Sequence, residues 1–287
     1  MPRRLKLSHS GSSYRRGSAS VETGSSADRD GFVPLDAFVS SDWCVRLTGA
    51  RAAQGRVICF PSAGGSATAF KPWIAQVPAG IELLALQFPG RQKRLREAPM
   101  RDLRVAVKAL LPAIAPLSGP STVFVGDCTG ALVAYETIRG IVANGFHPPK
   151  HFLVSCCRAP DLRPRHDPLH SLDESALITQ MRQLSFAPEW LLKDMATLRW
   201  FLPVLRSDLE LAESYVDHVG DPLVVPITAV AGTEDRITPE PDVAAWRRYT
   251  VSRFDFVPMN GGHDLAVTRV AQLVALVSAA LGTGGPN

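Results

Sequence analysis

Three residues far apart in the chain, Cys128, Asp235 and His263, have side chains that together could carry out nucleophilic acyl chemistry. That chemistry needs an exposed nucleophile, a base to take its proton and an acid to orient the base. Each of the three follows an apolar run: "VFVGD" before Cys128, "ITAVAGTE" before Asp235, and "VPMNGGHD" around His263. The most informative stretch is "VFVGDCTGALVAYE" (residues 123–136), with Gly126 and Gly130 two positions either side of Cys128. A strand, a sharp turn that lifts one side chain clear of the backbone, and a helix fit that pattern. Serine is the usual centre of such a turn, and the thiol is the other strong nucleophile. A protonated histidine and a helix N-terminus would both lower its pKa, whereas a carboxylate at Asp127 would act the other way.

Taken singly, each residue has a plainer explanation. A buried cysteine is usually a small hydrophobe, and an aspartate after a strand often caps a helix. The chain order nucleophile, acid, histidine, with each residue at a strand end, favours a triad. A tetrahedral oxyanion also needs donors. One is the backbone N–H of Thr129, just after the elbow, and the other comes from the loop after an early strand. "CFPSAGGSATAF" fits that loop, with Ala63 as the second donor; a plain turn at Gly64-Gly65 is the alternative reading.

The elements that must position these groups are legible from apolar runs. Strands are predicted at 56–61, 81–90, 121–127, 150–157, 226–232 and 253–259, with 41–50 as a further edge strand. The runs are apolar almost throughout and do not alternate, as expected for parallel strands covered on both faces. Helical patterns at 68–77, 102–115, 131–144, 240–248 and 264–281 lie between them, which implies a mostly parallel α/β sheet with helices on both faces. Residues 171–216 break the alternation with helical signals alone. Leu198, Leu202, Leu205 and Leu209 form one stripe there, and Pro203 is expected to kink it. This insertion is read as a lid, at about 160–216 in all, because ligands bind at the carboxyl ends of such strands; ordinary packing helices are the alternative.

A chain of 287 residues can bury one large core or two at most. Its net charge is +4, with Arg3, Arg4, Lys6, Arg15 and Arg16 clustered in a Ser/Gly-rich start. The remaining body is too nearly neutral to argue for nucleic acid. Residues 1–40 are expected to form a disordered tail and 41–287 the folded domain. The start lacks the apolar core of a signal peptide, and no run is long enough to span a bilayer. The five cysteines are therefore expected to be reduced thiols in a cytoplasmic protein, and Cys156 and Cys157, which end a predicted strand, are most simply core residues. His166 and His170 lie four apart without a third ligand, so no metal is expected.

In succession, "CFPSAGGSATAFKPW", "LALQFPGRQKRLREAP", "LPVLRSDLELAESY", "PITAVAGTEDRITPE" and "PMNGGHDLAV" resemble the signatures of type II thioesterases over about residues 55–281. These are α/β-hydrolases of non-ribosomal peptide and polyketide biosynthesis. The resemblance implies an α/β-hydrolase fold with a helical lid. It implies no cofactor of the enzyme's own, and acyl groups presented on the phosphopantetheine arm of a carrier protein or synthetase module. It also implies nucleophile, acid and base at Cys128, Asp235 and His263. Arg91 and Arg94 of the basic loop are the candidates for contact with an acidic carrier or its phosphate, with a solvated loop as the alternative.

Two positions depart from the family pattern. Its elbow usually reads G-H-S-x-G and its early loop P-H-A-G-G, whereas here Asp127 and Ser62 stand where the histidines would be. Cysteine at the elbow resembles the aminoacyl-shuttling branch of the family. Moving an acyl group from one thiol to another is near thermoneutral and reversible, so Cys128 suits onward transfer as well as hydrolysis. A non-catalytic carrier-binding protein and a free-ester hydrolase are the rival readings.

Overall fold

The computed structural model describes residues 42–49, 53–187, 189–217 and 220–283. The expected tail, residues 1–40, lies outside them. The strands are β1 (Cys44–Thr48), β2 (Gly55–Phe60), β3 (Ile81–Leu86), β4 (Thr122–Asp127), β5 (His151–Ser155), β6 (Ile227–Gly232) and β7 (Phe254–Met259). They form one sheet in the order β1-β3-β2-β4-β5-β6-β7. β1 is the antiparallel edge, and the other strands run parallel. β2, β3, β4 and β6 are buried along their whole length, which is why their sequences do not alternate.

The α-helices are α1 (Leu103–Ile114), α2 (Thr129–Ala143), α3 (Glu174–Gln183), α4 (Glu189–Lys193), α5 (Met195–Glu213), α6 (Glu240–Ala244), α7 (Leu265–Thr268) and α8 (Val270–Leu281). α1, α2 and α6 cover one face of the sheet, and α7 and α8 the other. This is the α/β-hydrolase architecture. One helical expectation needs correction. The first helix is a 3-10 stretch, Ala67–Ala75, because Pro72 inside it supplies no N–H for an α-helical turn. Helix α5 carries Pro203 inside it and continues on both sides of it. Among the described residues no helix is long and apolar enough to cross a membrane.

Helices α3 to α5 form a third apolar cluster. Leu198, Leu202, Leu205 and Leu209 are buried against Leu177, Met181 and Leu192, and against Ala63 in the loop just past β2. The stripe read from sequence therefore lies across the carboxyl ends of the strands.

Candidate active site

The chain leaves β4 at Asp127 and enters α2 at Thr129, so Cys128 alone must make the turn. It does so with φ 48° and ψ −118°, a left-handed conformation that is costly for a residue with a Cβ. The flanking glycines are sterically required. A Cβ on Gly126 would lie 2.3 Å from the Ala131 Cα, and one on Gly130 would lie 2.1 Å from the Phe60 carbonyl oxygen. The turn holds Cys128 half-exposed at the N-terminus of α2, while the other four cysteines are buried. Helix N-termini favour negative charge and so favour a thiolate there.

Asp235 lies just after β6, and its carboxylate is fixed by three donors. Oδ1 accepts the N–H groups of Ile237 (2.8 Å) and Thr238 (3.0 Å), and Oδ2 faces His263 Nδ1 at 2.8 Å. That bond leaves His263 Nε2 buried and without a partner of good geometry on the side of Cys128. Burial alone would lower the His263 pKa. The charge of Cys128 and the Asp235 carboxylate outweigh it and hold it well above the usual imidazole range.

Cys156 and Cys157 are core residues, as expected, but Cys156 also comes close to the site. Cys156 Sγ, the Asp235 carboxylate and the His263 ring present atoms within 4.8 Å of one another. Only its place one residue past β5, beside the end of β4, could have signalled this. Cys156 is fully buried, and burial foremost pushes its thiol pKa up, with Asp127 and Asp235 adding to the effect.

Asp127 and Ser62, the two departures from the family motif, belong to one cluster. The Asp127 carboxyl is buried beside the Ser62 and Ser155 side chains and near His263. Burial foremost raises its pKa to about 6, against the pull of His263 and the two hydroxyls. Asp127 therefore opposes a thiolate at Cys128 only when it is itself ionised.

Among the described residues neither the Ala63 nor the Thr129 N–H donates to a protein acceptor. The next two amides of the early loop are engaged. Gly64 N–H donates to Asp208 Oδ2 (2.7 Å) and Gly65 N–H to the Ser62 carbonyl (2.8 Å). A cavity of about 10 Å³ bordered by Ser62, Thr129, Val133 and Asp208 has room for about one water molecule. Phe186, between α3 and α4, stacks over the His263 ring at 6.4 Å.

The expected carrier contacts at Arg91 and Arg94 are overturned, because both guanidinium groups are buried and engaged. Arg91 makes two bonds of 2.7 Å to Asp208 and one of 2.7 Å to the Gly65 carbonyl. Arg94 pairs with Glu97 at 2.6 and 2.8 Å, donates to the Gln87 carbonyl and lies 4.1 Å above the Trp43 ring. Lys93 and Arg96 are the exposed cations of that loop. His170 is held by Glu213 at 2.6 Å.

Comparison with known proteins agrees with this architecture. The chain matches the thioesterase domain family over residues 55–281 and belongs to that family. It is 35% identical to the thioesterase PikA5 of Streptomyces venezuelae, over 77% of this chain and 79% of that protein. It is 33% identical to the gramicidin S biosynthesis protein GrsT of Aneurinibacillus migulanus, over 77% of this chain and 86% of that one. It also matches 11% of the length of the AMB antimetabolite synthetase AmbE of Pseudomonas aeruginosa, at 32% identity over 81% of this chain. The type II thioesterase BorB from the borrelidin biosynthetic cluster superposes with a TM-score of 0.77 at 29% identity, covering 85% of this chain and 99% of that one.

Proposed function

We propose that this member of the thioesterase family is a type II thioesterase-like enzyme of non-ribosomal peptide or polyketide biosynthesis. It takes an acyl or aminoacyl group from a carrier-protein phosphopantetheine thioester onto Cys128 and releases it by hydrolysis. The observation that carries the assignment is the strained, half-exposed Cys128 at the head of α2, facing the buried His263–Asp235 pair. The Cys128 thiolate attacks the thioester carbonyl, and the oxyanion takes the N–H groups of Ala63 and Thr129. The phosphopantetheine sulfur leaves with the proton from His263. In the second half, His263 takes a proton from water as its oxygen attacks the acyl-enzyme, and the free acid departs as the Cys128–imidazolium pair re-forms.

Helices α3 to α5 act as a lid in this reading. The cavity beside Thr129 is only about 10 Å³, so an acyl group bound there must displace side chains that border it, Leu211 of α5 among them. Lys93 and Arg96 remain available to an acidic carrier.

The elbow sulfur favours a second outcome, transfer of the acyl group from Cys128 to a second carrier thiol or an amine. Intact-mass analysis of acyl-loaded carriers, with and without an empty acceptor, tests both. Hydrolysis predicts free acid whether or not the acceptor is present. Transfer predicts acyl-acceptor from the parent and its loss in Cys128→Ser, whose oxygen ester is less reactive towards a thiol. A parent that forms no acyl-enzyme and consumes no thioester would leave only carrier binding.

A further inference from the structure

Helix α5 does more than roof the site: two of its side chains grip the loop that holds Ala63. Phe201 and Asp208 are seven residues apart, two helical turns, and so share one face. Both reach Gly64. The Phe201 ring packs so closely on it that a Cβ there would lie 2.2 Å from Phe201 Cζ. The Asp208 carboxylate takes the Gly64 N–H at 2.7 Å. The same carboxylate holds Arg91 through both oxygens at 2.7 Å, and Arg91 returns to the loop by donating to the Gly65 carbonyl at 2.7 Å. Arg91 and Asp208 are both buried. The carboxylate and the guanidinium thus bind opposite polar groups of two successive residues, and Ala63 is the residue before them.

We infer that Asp208 and Arg91 form a latch by which helix α5 sets the position of the Ala63 N–H, making both positioning residues for the oxyanion site. The inference rests on the reading of Ala63 as an oxyanion donor. It follows from the geometry of a short loop: with Gly64 N–H and Gly65 C=O fixed, the peptide before them has little freedom to turn. An N–H must point at the developing oxyanion to within a fraction of an ångström to be effective, and a misplacement of about 1 Å can cost about 10²-fold in rate. In the stretch "LPVLRSDLELAESY" nothing local marks Asp208, and Arg91 stands in a basic loop that points to a partner surface. The long-range pairing of the two, across 117 positions, carries no local signal.

The test uses two reactions of the same thiol in the full-length protein. Thioester turnover needs an oxyanion site; alkylation of Cys128 by iodoacetamide is a displacement at carbon and forms no oxyanion. Asp208→Asn is expected to lower kcat for an acyl-carrier thioester about 10²-fold, with KM changed little and the alkylation rate kept within about twofold. Turnover at the parent rate, or a parallel fall in turnover and alkylation, would overturn the latch. A buried charge left without its partner endangers folding, so the double variant Arg91→Met/Asp208→Leu replaces the pair with apolar side chains. It must also lose turnover while keeping alkylation, because Gly64 N–H has lost its acceptor. Slow alkylation of the parent Cys128 would count against the nucleophile assignment, whereas the latch is judged on thioester turnover.

Discussion

The ends of β4 and β5 lie side by side, paired through Asp127 and Ser155, and each is followed by a cysteine in a left-handed conformation. Cys128 has φ 48° and Cys156 φ 50°. Both come close to His263. Their surroundings then diverge. Cys128 is half-exposed and opens a helix of 15 residues, whose N-terminus favours negative charge. Cys156 is buried and leads into Cys157 and irregular chain, with two carboxylates nearby to oppose its ionisation. Nearness to a histidine is thus common to both thiols, whereas access and a helix N-terminus belong to Cys128, and on these two features the proposed assignment of the nucleophile rests.

The sharpest way to break this comparison is to remove each sulfur in turn. Cys128→Ala is expected to lower turnover by at least about 10⁴-fold, in line with the loss of a nucleophile in other triads. Cys156→Ala is expected to keep turnover within several-fold and to cost about 1 kcal/mol of stability, the ordinary consequence of trimming a buried group. Acyl-enzyme formation followed by intact mass checks both. Surviving acylation in Cys128→Ala, with loss in Cys156→Ala, would reverse the assignment.

The next effect concerns the groups that both thiols approach. His263→Ala removes the base and should cost more than Asp235→Asn. In a serine triad loss of the orienting acid costs about 10⁴-fold, but a thiol at a helix N-terminus ionises in part without help, so a smaller loss is expected at Asp235. Single-turnover acylation rates of the two variants are the measurement. An Asp235→Asn variant as impaired as His263→Ala would mean that the thiolate depends wholly on the carboxylate.

The same contrast explains what was legible in the sequence. The strands and most of the helices follow from local apolar pattern, and the elbow from glycines within two residues of Cys128. Order along the chain linked Cys128, Asp235 and His263. Cys156 was read as core because burial and nearness to His263 both arise from sheet register, which brings β5 beside β4. Arg91 and Arg94 were misread because a run of cations looks the same in sequence whether solvated or paired. Their partners Asp208, the Gly65 carbonyl and Trp43 come from elsewhere in the chain.

The smallest expected effect on activity belongs to Asp127, which precedes Cys128 and pairs across the sheet with Ser155, the residue before Cys156, yet its pH signature is distinctive. Burial raises its pKa from 3.8 to about 6, so the folded state holds this proton more tightly than the unfolded chain does. A folded-state pKa above the unfolded value means stability falls as pH rises from about 4 to about 6 and stays lower above that. Two units correspond to roughly 3 kcal/mol. Asp127→Asn keeps the size of the side chain and removes the charge. The variant should be more stable than the parent at pH 7.5, by roughly 2–4 °C in Tm per kcal/mol, and the gap should close near pH 4. Two effects on Cys128 oppose each other: the thiolate loses a repelling charge, and His263 loses a carboxylate that favours its protonated form. Turnover should therefore change by only a few-fold. Thermal denaturation of both proteins between pH 4 and 8 is the measurement. Tm curves that stay parallel across that range would mean Asp127 does not titrate there, and that its carboxylate opposes the thiolate at every working pH.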